Sequence, residues 1–416
     1  MGQVDRLIAW GIALFSRTIL AALLLLAAPA AAQTPDYAAI RAEESSQEAA
    51  ALASATQTLC GRKLVLLGEN GFHGDGRASA FKADLVRKLV ADCGFDAVIF
   101  ESSTFDFTAM NRAIRRGDAS PDMLPSALGG LWNRNSEVQD LLAFLYAEVL
   151  GGRVVLAGMD DQLGARGAFY SLEAMPVELA GLLPIGGRDD CAARLRQRTL
   201  WRYTAAEPYD EEHRAALRLC LTEIGNSLET ARLDDERDRA DLRAMIAGFG
   251  RALERDFLGP GQSAWTRDRA MALNVEAIVA ALPPGSKVVV WTANIHAARD
   301  ASATDTFRDQ PNMGALLRRR FGEDVVAVGV TAAGGAFRHI SGAERAIDPA
   351  TPDSLEARAL TEPSVQVVWV DSAGLTSLSP SGGRVFDHPS MPTIWSEAFD
   401  AVLVFRAERP PYRLGG

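Results

Sequence analysis

The sequence is poor in what most familiar enzyme sites require. Its 416 residues contain no G-x-S-x-G, no H-E-x-x-H, no G-x-x-x-x-G-K-S/T and no G-x-G-x-x-G after a strand. That excludes the nucleophile elbow of serine hydrolases, the zincin helix, the P-loop and the Rossmann phosphate turn. Cysteine is scarce, with four residues and no C-x-x-C, so a thiol redox pair or a zinc knuckle has no support. Basic residues are outnumbered, 43 against 53 acidic, for a net charge of -10, which argues against nucleic acid as a partner. After residue 28 no apolar run is long enough to span a bilayer.

The first residues read as an export signal. Arg6 and Arg17 flank an early apolar patch, Thr18 to Ala28 is almost wholly apolar, and Pro29-Ala30-Ala31-Ala32 supplies small residues before Gln33. Cleavage after Ala32 is expected, giving a periplasmic or secreted protein without membrane contact; a retained anchor is the alternative. In an oxidising compartment the four cysteines are expected to pair. Cys60 lies just before the apolar run at Leu64, and Cys93 at nearly the same distance before Ala97-Val98-Ile99-Phe100. If these runs are adjacent parallel strands, Cys60 pairs with Cys93, and by elimination Cys191 pairs with Cys220.

The chain is organised around Leu64-Val65-Leu66-Leu67-Gly68-Glu69-Asn70-Gly71-Phe72-His73-Gly74-Asp75-Gly76. Its apolar half lacks polar alternation, so as a strand it must be covered on both faces, as in a parallel sheet with helices above and below. The polar half then lies at the strand's C-terminal end, where open α/β sheets bind ligands. The pattern recurs: Ala97 to Phe100 runs into Glu101, Arg153 to Met159 into Asp160, and Lys287 to Thr292 into Asn294 and His296. Further strands are expected at Val325 to Val330, Val365 to Trp369 and Ala401 to Phe405. Helices are expected at Tyr37 to Leu59, Arg77 to Ala91, Glu137 to Leu150 and Met313 to Phe321. Gly374 to Pro392, rich in Ser, Gly and Pro, reads as a loop. The fold class is α/β, with a core in two parts, residues 33–164 and 286–416, separated by a helical insertion or cap over residues 165–285.

Parallel strands joined by helices bring their C-terminal ends to one edge, so Glu69, His73, Glu101, Asp160, Asn294 and His296 are expected to converge. Lys82 falls within the apolar stripe of its helix, where it either snorkels out or points to a charge at the site. Trp132 and Arg134 suit an aromatic wall and an anion clamp, or a packed loop. Arg267 shares a helix face with Met271 and Asn274, which turns it inward. Imidazole and carboxylate without an evident nucleophile suit activation of water by a general base, since an imidazole with a reference pKa of about 6.5 accepts protons near neutral pH. A metal site built from the same groups, giving a metal-dependent hydrolase or peptidase, is the alternative.

From about Leu64 onward the chain resembles the erythromycin esterase family. The resemblance rests on Gly68-Glu69 with His73-Gly74-Asp75-Gly76, Gly94-Phe95-Asp96 running into Phe100-Glu101-Ser102, and Trp132 with Arg134. It continues in Arg267-Asp268 with Met271 and Asn274, Asn294 with His296 and Arg299, and Met313-Gly314. It implies a carboxylic ester or lactone hydrolase acting on a small molecule, with macrolide lactones and hence antibiotic resistance among the candidates, and without a cofactor or obligatory metal. It implies His73 as general base, Glu69 and Glu101 as orienting and polarising groups, and His296 as a second proton-transfer group or oxyanion holder. Lys82, Trp132, Arg134, Arg267 and Asn294 would surround the substrate. Most members separate the first Glu and His by two residues; here three intervene, so the loop is expected to bulge. Lys82 stands where macrolide-hydrolysing members tend to carry Arg and lacks its bidentate fork. Related sheets also resemble periplasmic haem-binding proteins, which leaves a ligand-binding protein as a third reading.

Overall fold

The unbroken apolar runs become the strands of one sheet. The structure, a computed structural model, describes residues 36–164, 169–304, 311–386 and 388–414. The expected export signal, residues 1–32, lies outside them, as do residues 165–168 at the start of the expected insertion. From Tyr37 onward the chain forms one unit.

The strands are β1 (Leu64–Leu67), β2 (Ala97–Ser103), β3 (Val155–Asp160), β4 (Val288–Trp291), β5 (Val325–Ala332), β6 (Gly335–Arg338), β7 (Glu344–Ile347), β8 (Val367–Val370), β9 (Ser381–Gly383), β10 (Met391–Thr393) and β11 (Ala401–Phe405). Among the described residues seven of them form a sheet in the order β3-β2-β4-β1-β5-β11-β8. It is parallel throughout except that β8 runs antiparallel to β11.

Strand periodicity divides each run between two cores. Val65, Leu67, Val289 and Trp291 pack on one face against α1 (Tyr37–Leu59), α2 (Gly76–Ala91), α3 (Thr104–Arg116), α4 (Met123–Leu128) and α5 (Ser136–Leu150). Leu64, Leu66, Val288 and Val290 pack on the other face. Their partners include Met271 and Val275 of a long helix, Pro260–Ala281, and Met313 and Leu317 of another, Met313–Phe321. Burying each such aliphatic side chain contributes about 1.5–3 kcal/mol, which is why the strands tolerate no polar residue until their ends.

Between β3 and β4 the described residues are helical: α6 (Ala174–Gly181), α7 (Ile185–Leu200), α8 (Glu211–Thr230), α9 (Glu236–Glu254) and α10 (Pro260–Ala281). After β4 come the short α11 (Asn294–Ala297) and α12 (Met313–Phe321). Met175, Leu195, Leu217, Ile224, Met245 and Phe249 of the inserted helices share a core of their own with Phe105 of α3. The dense charge of this region is partly structural, since Asp238 of α9 gathers Arg112, Arg115 and Arg116 of α3.

Both disulfides form as paired, Cys60 with Cys93 and Cys191 with Cys220, with Cα atoms 5.1 and 5.8 Å apart. The strand argument for the first pair needs correction, because β4 lies between β1 and β2. The cysteines meet because each follows the end of a helix, α1 or α2, and these helices pack together. Lys287, entering β4 beneath them, donates its ammonium to the carbonyls of Cys60 at 3.0 Å and Cys93 at 2.8 Å. The tract Gly374 to Pro392 is also more ordered than its composition implies. It contains the end of a helix, Ser372–Leu378, whose N-terminus is capped by Asp371 accepting from Gly374 N at 2.9 Å, and the β9–β10 ribbon. Strands of three residues are too short to show a period.

Candidate active site

The site grows from the C-terminal ends of β1, β2, β3 and β4. Beyond β1, the Gly68 amide donates to Val328 O at 2.8 Å and carries the ladder one residue further. A Cβ at Gly68 would strike the Asn294 carboxamide. That carboxamide donates to the carbonyls of Val330 and Val385 and accepts from Val330 N, so it ties the strand ends together. Among the described residues the carboxamide bonds only to backbone, which corrects the expectation that Asn294 contacts substrate.

Next, Asn70 to His73 closes a turn, with His73 N donating to Asn70 O at 2.9 Å and Phe72 N to Asn70 Oδ1 at 3.0 Å. His73 adopts a left-handed φ of 53°, a conformation that costs a non-glycine residue on the order of 1 kcal/mol or more. The turn takes up the additional residue, and the strain aims the imidazole back at its own strand end. The Nδ1 atom of His73 lies 2.7 Å from Glu69 Oε1, so the loop's extra residue does not separate the pair.

Glu69 is buried and fully engaged. Oε1 also accepts from Trp132 Nε1 at 2.8 Å, while Oε2 accepts from Lys82 Nζ at 2.9 Å and Trp291 Nε1 at 3.0 Å. Burial pushes the Glu69 carboxyl up, and the Lys82 ammonium with His73 outweighs that and holds it below the usual range. Burial lowers Lys82 to about 8 against the opposing pull of Glu69, and its ammonium sits 4.2 Å from the Trp291 ring centroid. Lys82 is therefore behind the Glu69 carboxylate, shielded from the cavity, and is corrected from a substrate contact to a support. With Nδ1 held by an acceptor, the neutral imidazole of His73 carries its proton there. Among the described residues no protein group bonds its Nε2.

The second half of the site is a charge cluster. Glu101, at the end of β2, accepts from Thr292 Oγ1 and Ala293 N at 2.8 Å each through Oε2. Its Oε1 faces Arg267 Nη2 at 2.8 Å and His296 Nε2 at 3.4 Å. Arg267 reaches down from α10 and also grips Asp160 Oδ2 with Nε and Nη2, at 3.2 and 2.8 Å. On α11, His296 points Nδ1 at Asp268 Oδ1, 2.8 Å away, and Asp268 also accepts from Met313 N at 2.8 Å. Burial alone would raise Glu101, yet His296, Arg267 and His73 bring it well below the ordinary carboxylate range. Burial would depress His296, but Asp268 and Glu101 override it and raise the imidazole to about 10. Arg267 Nη1 stands 3.2 Å from His296 Nε2 and opposes its protonation; the two carboxylates, Asp268 and Glu101, outweigh that one cation.

His73, Trp132, Glu101, Asp160, Arg267 and His296 line one cavity of about 420 Å³. Trp132 meets the His73 ring edge-on, centroids 4.9 Å apart. Arg134 is exposed outside this cavity, with its carbonyl accepting from Leu414 N at 2.8 Å; the clamp expected of it is corrected to a surface position. Asp268 was not singled out for the site. Its signal was adjacency to Arg267 on one helix, and both residues are used because α10 passes between β3 and α11. Among the described residues no group of three or more His, Cys, Asp or Glu is arranged to hold a metal ion. The oxygens of Glu69 and Glu101 are instead filled by N–H and O–H donors and flanked by Lys82 and Arg267.

The chain is similar to known proteins over most of its length. A family model described as erythromycin esterase matches residues 90–407. Among curated proteins, a putative hydrolase of Bacillus subtilis strain 168, YbfO, is 22% identical over 386 residues, covering 83% of this chain and 84% of that protein. Two solved structures share the fold. A succinoglycan biosynthesis protein superposes with a TM-score of 0.63 at 18% identity, covering 87% of this chain and 92% of its own. A mutant of the erythromycin esterase EreC in its open conformation gives 0.60 at 16% identity, covering 86% and 93%.

Proposed function

The chain belongs to the erythromycin esterase family, and from that premise we propose that it hydrolyses carboxylic ester or lactone bonds with a water activated by His73. The family and the putative hydrolase relative support a hydrolase. The observation that carries the mechanism is the Glu69–His73 hydrogen bond, which fixes the ring so that an unprotonated Nε2 can act as base beside the fixed cations Arg267 and His296. Water attacks the carbonyl carbon as its proton passes to His73 Nε2, and Glu69 stabilises the imidazolium that forms. The carbonyl oxygen becomes an oxyanion, which the fixed positive charges of Arg267 and the protonated His296 stabilise from the cavity wall. As the intermediate collapses, the C–O bond to the alkoxy group breaks and His73 returns its proton to the leaving oxygen. The products are a carboxylic acid and an alcohol, or one hydroxy acid from a lactone.

A macrolide ring is one substrate of this chemistry. The absence of a guanidinium at Lys82 does not bear on it, since Lys82 does not face the cavity. Export belongs to the same proposal, supported by the apolar N-terminal stretch and the two disulfides, which persist in oxidising compartments. Among the described residues no helix is long and apolar enough to cross a membrane. Purified protein incubated with a panel of simple esters, lactones and macrolides is expected to add one water to at least one class, read by mass spectrometry. No turnover of any ester or lactone would defeat the reading.

A further inference from the structure

A second cavity of about 710 Å³ opens beside the first and shares Gln162, Gly164 and Arg267 with it. Its remaining wall comes from the inserted helices, chiefly Arg198 and Trp201 at the end of α7, and Arg255 and Asp256 after α9. Each cation here is already matched. Arg198 makes two bonds to Asp256, Nε to Oδ2 at 3.1 Å and Nη2 to Oδ1 at 2.6 Å. Arg255 Nη1 stands 2.6 Å from Asp161 Oδ1, and Arg267 is held by Asp160 and Glu101. An anionic ligand would find no uncompensated charge, and a purely apolar one would strip water from these paired polar groups.

Beside this polar floor the cavity has one aromatic lining residue, Trp201, on which further rings pack. Trp201 is 54% exposed; the Arg198 guanidinium lies over its ring, 4.6 Å from the centroid, and Tyr203 and Tyr209 make T-shaped contacts with it at 5.6 and 5.2 Å. Phe257, also exposed, stacks on Tyr209 at 5.2 Å. Among the described residues the non-glycine positions with left-handed φ are His73, Trp201 and Phe257, at 53°, 50° and 68°. One is the expected base; Trp201 lines the cavity, and Phe257 belongs to the ring cluster packed on it through Tyr209. A helix that ends in the left-handed conformation ordinarily has glycine or asparagine there, so α7 retains a tryptophan against its backbone preference.

The ligand that fits has one flat C–H face for the indole and a rim of neutral hydroxyls for paired donors and acceptors. We propose that the cavity walled by Trp201, Arg198, Arg255 and Asp256 is a subsite for a neutral sugar ring, so that the ester cleaved beside His73 is carried on a glycosyl group. This rests on the hydrolase reading of the neighbouring cavity.

The test has a binding arm and a kinetic arm. Methyl β-glucopyranoside titrated into the whole protein, followed by calorimetry, is expected to bind saturably in the millimolar range. Trp201→Gly, which suits the left-handed backbone and so should not unfold α7, is expected to weaken that binding by about tenfold or more, as loss of one stacked ring does. Trp201→Phe, which keeps a ring, should stay within a few-fold. In the kinetic arm, kcat/KM on an acetylated methyl glucoside should fall in Trp201→Gly by a similar factor. No saturable binding by the wild type, or equal binding by Trp201→Gly, would overturn the proposal. Turnover of 4-nitrophenyl acetate by the wild type reports separately on the hydrolase reading. A protein that splits the acetate but binds no glucoside refutes the subsite alone. One that binds the glucoside and splits no ester supports the subsite and refutes the reading it rests on.

Discussion

The loop after β1 and the cluster around α10 each present a histidine to one cavity, and they are built in opposite ways. At the loop a single carboxylate, Glu69, accepts from four donors, its charge is balanced from behind by Lys82, and His73 keeps one ring nitrogen open. At the cluster three carboxylates, Glu101, Asp160 and Asp268, enclose Arg267 and His296, whose two ring nitrogens both face acids. The second arrangement holds positive charge in place; the first leaves one ring nitrogen facing the cavity without a protein partner among the described residues. Residue type does not separate the roles, since both are histidines at strand ends. The count of carboxylates around each does.

The contrast can be broken most sharply at His73. His73→Asn tolerates the left-handed backbone, but an amide cannot accept the proton, so kcat on a confirmed substrate should fall by about a hundred- to ten-thousand-fold. Its melting temperature should move little, and a near wild-type kcat would remove the base role. Next in size is Glu101→Gln, which leaves Arg267 and His296 facing each other across a neutral amide. Breaking a buried pair of this kind costs about 3–5 kcal/mol, to be read from the midpoint of denaturant unfolding.

The two halves contribute to the pH dependence of stability with opposite signs. His296 is raised in the folded protein, so its contribution is fully present below its unfolded pKa of about 6.5 and is lost as pH rises through about 10. Lys82 is lowered to about 8, so between there and about 10.5 the unfolded chain binds the extra proton and rising pH favours the fold. His296→Gln should therefore flatten the alkaline loss of stability, by a few kcal/mol at most, in melts taken from pH 6 to 10 as a series. Lys82→Met should steepen the alkaline loss and, by stripping Glu69 of its countercharge, move the acid limb of kcat/KM towards neutral pH. The smallest effect belongs to Arg134→Ala, exposed and away from both histidines. Stability should stay within about 0.5 kcal/mol and kcat/KM should not change.

Much of this arrangement was legible because doubly buried strands end abruptly in polar residues. Leu64 to Leu67 and Val288 to Trp291 carry no alternation, so Glu69, His73, Glu101 and His296 stood out as strand-end groups, and all four meet at the cavity or directly behind it. Strand order was not legible. It depends on β4 returning, after the inserted helices, to lie between β2 and β1, and no local pattern encodes that return. For Lys82 the sequence leaves two outcomes, and the structure takes the one that meets a charge at the site. A lysine within an apolar stripe must point inward or snorkel, but only the position of Glu69 beneath α2 decides that it meets the buried side of the carboxylate. Asn294 resembles a substrate contact until the backbone groups of Val330 and Val385 are seen to take its amide. Arg134, two residues after a buried tryptophan, turns outward with the chain.

The protonation of the two rings separates fixed cation from base most directly, and it can be read from ¹H–¹⁵N spectra of the histidine-labelled protein at pH 8. His296 is expected to carry protons on both ring nitrogens, held there by Asp268 and Glu101, while the neutral form of His73 carries its proton on Nδ1 towards Glu69. A neutral His296 at that pH, or a neutral His73 protonated on Nε2, would contradict the division between fixed cation and base.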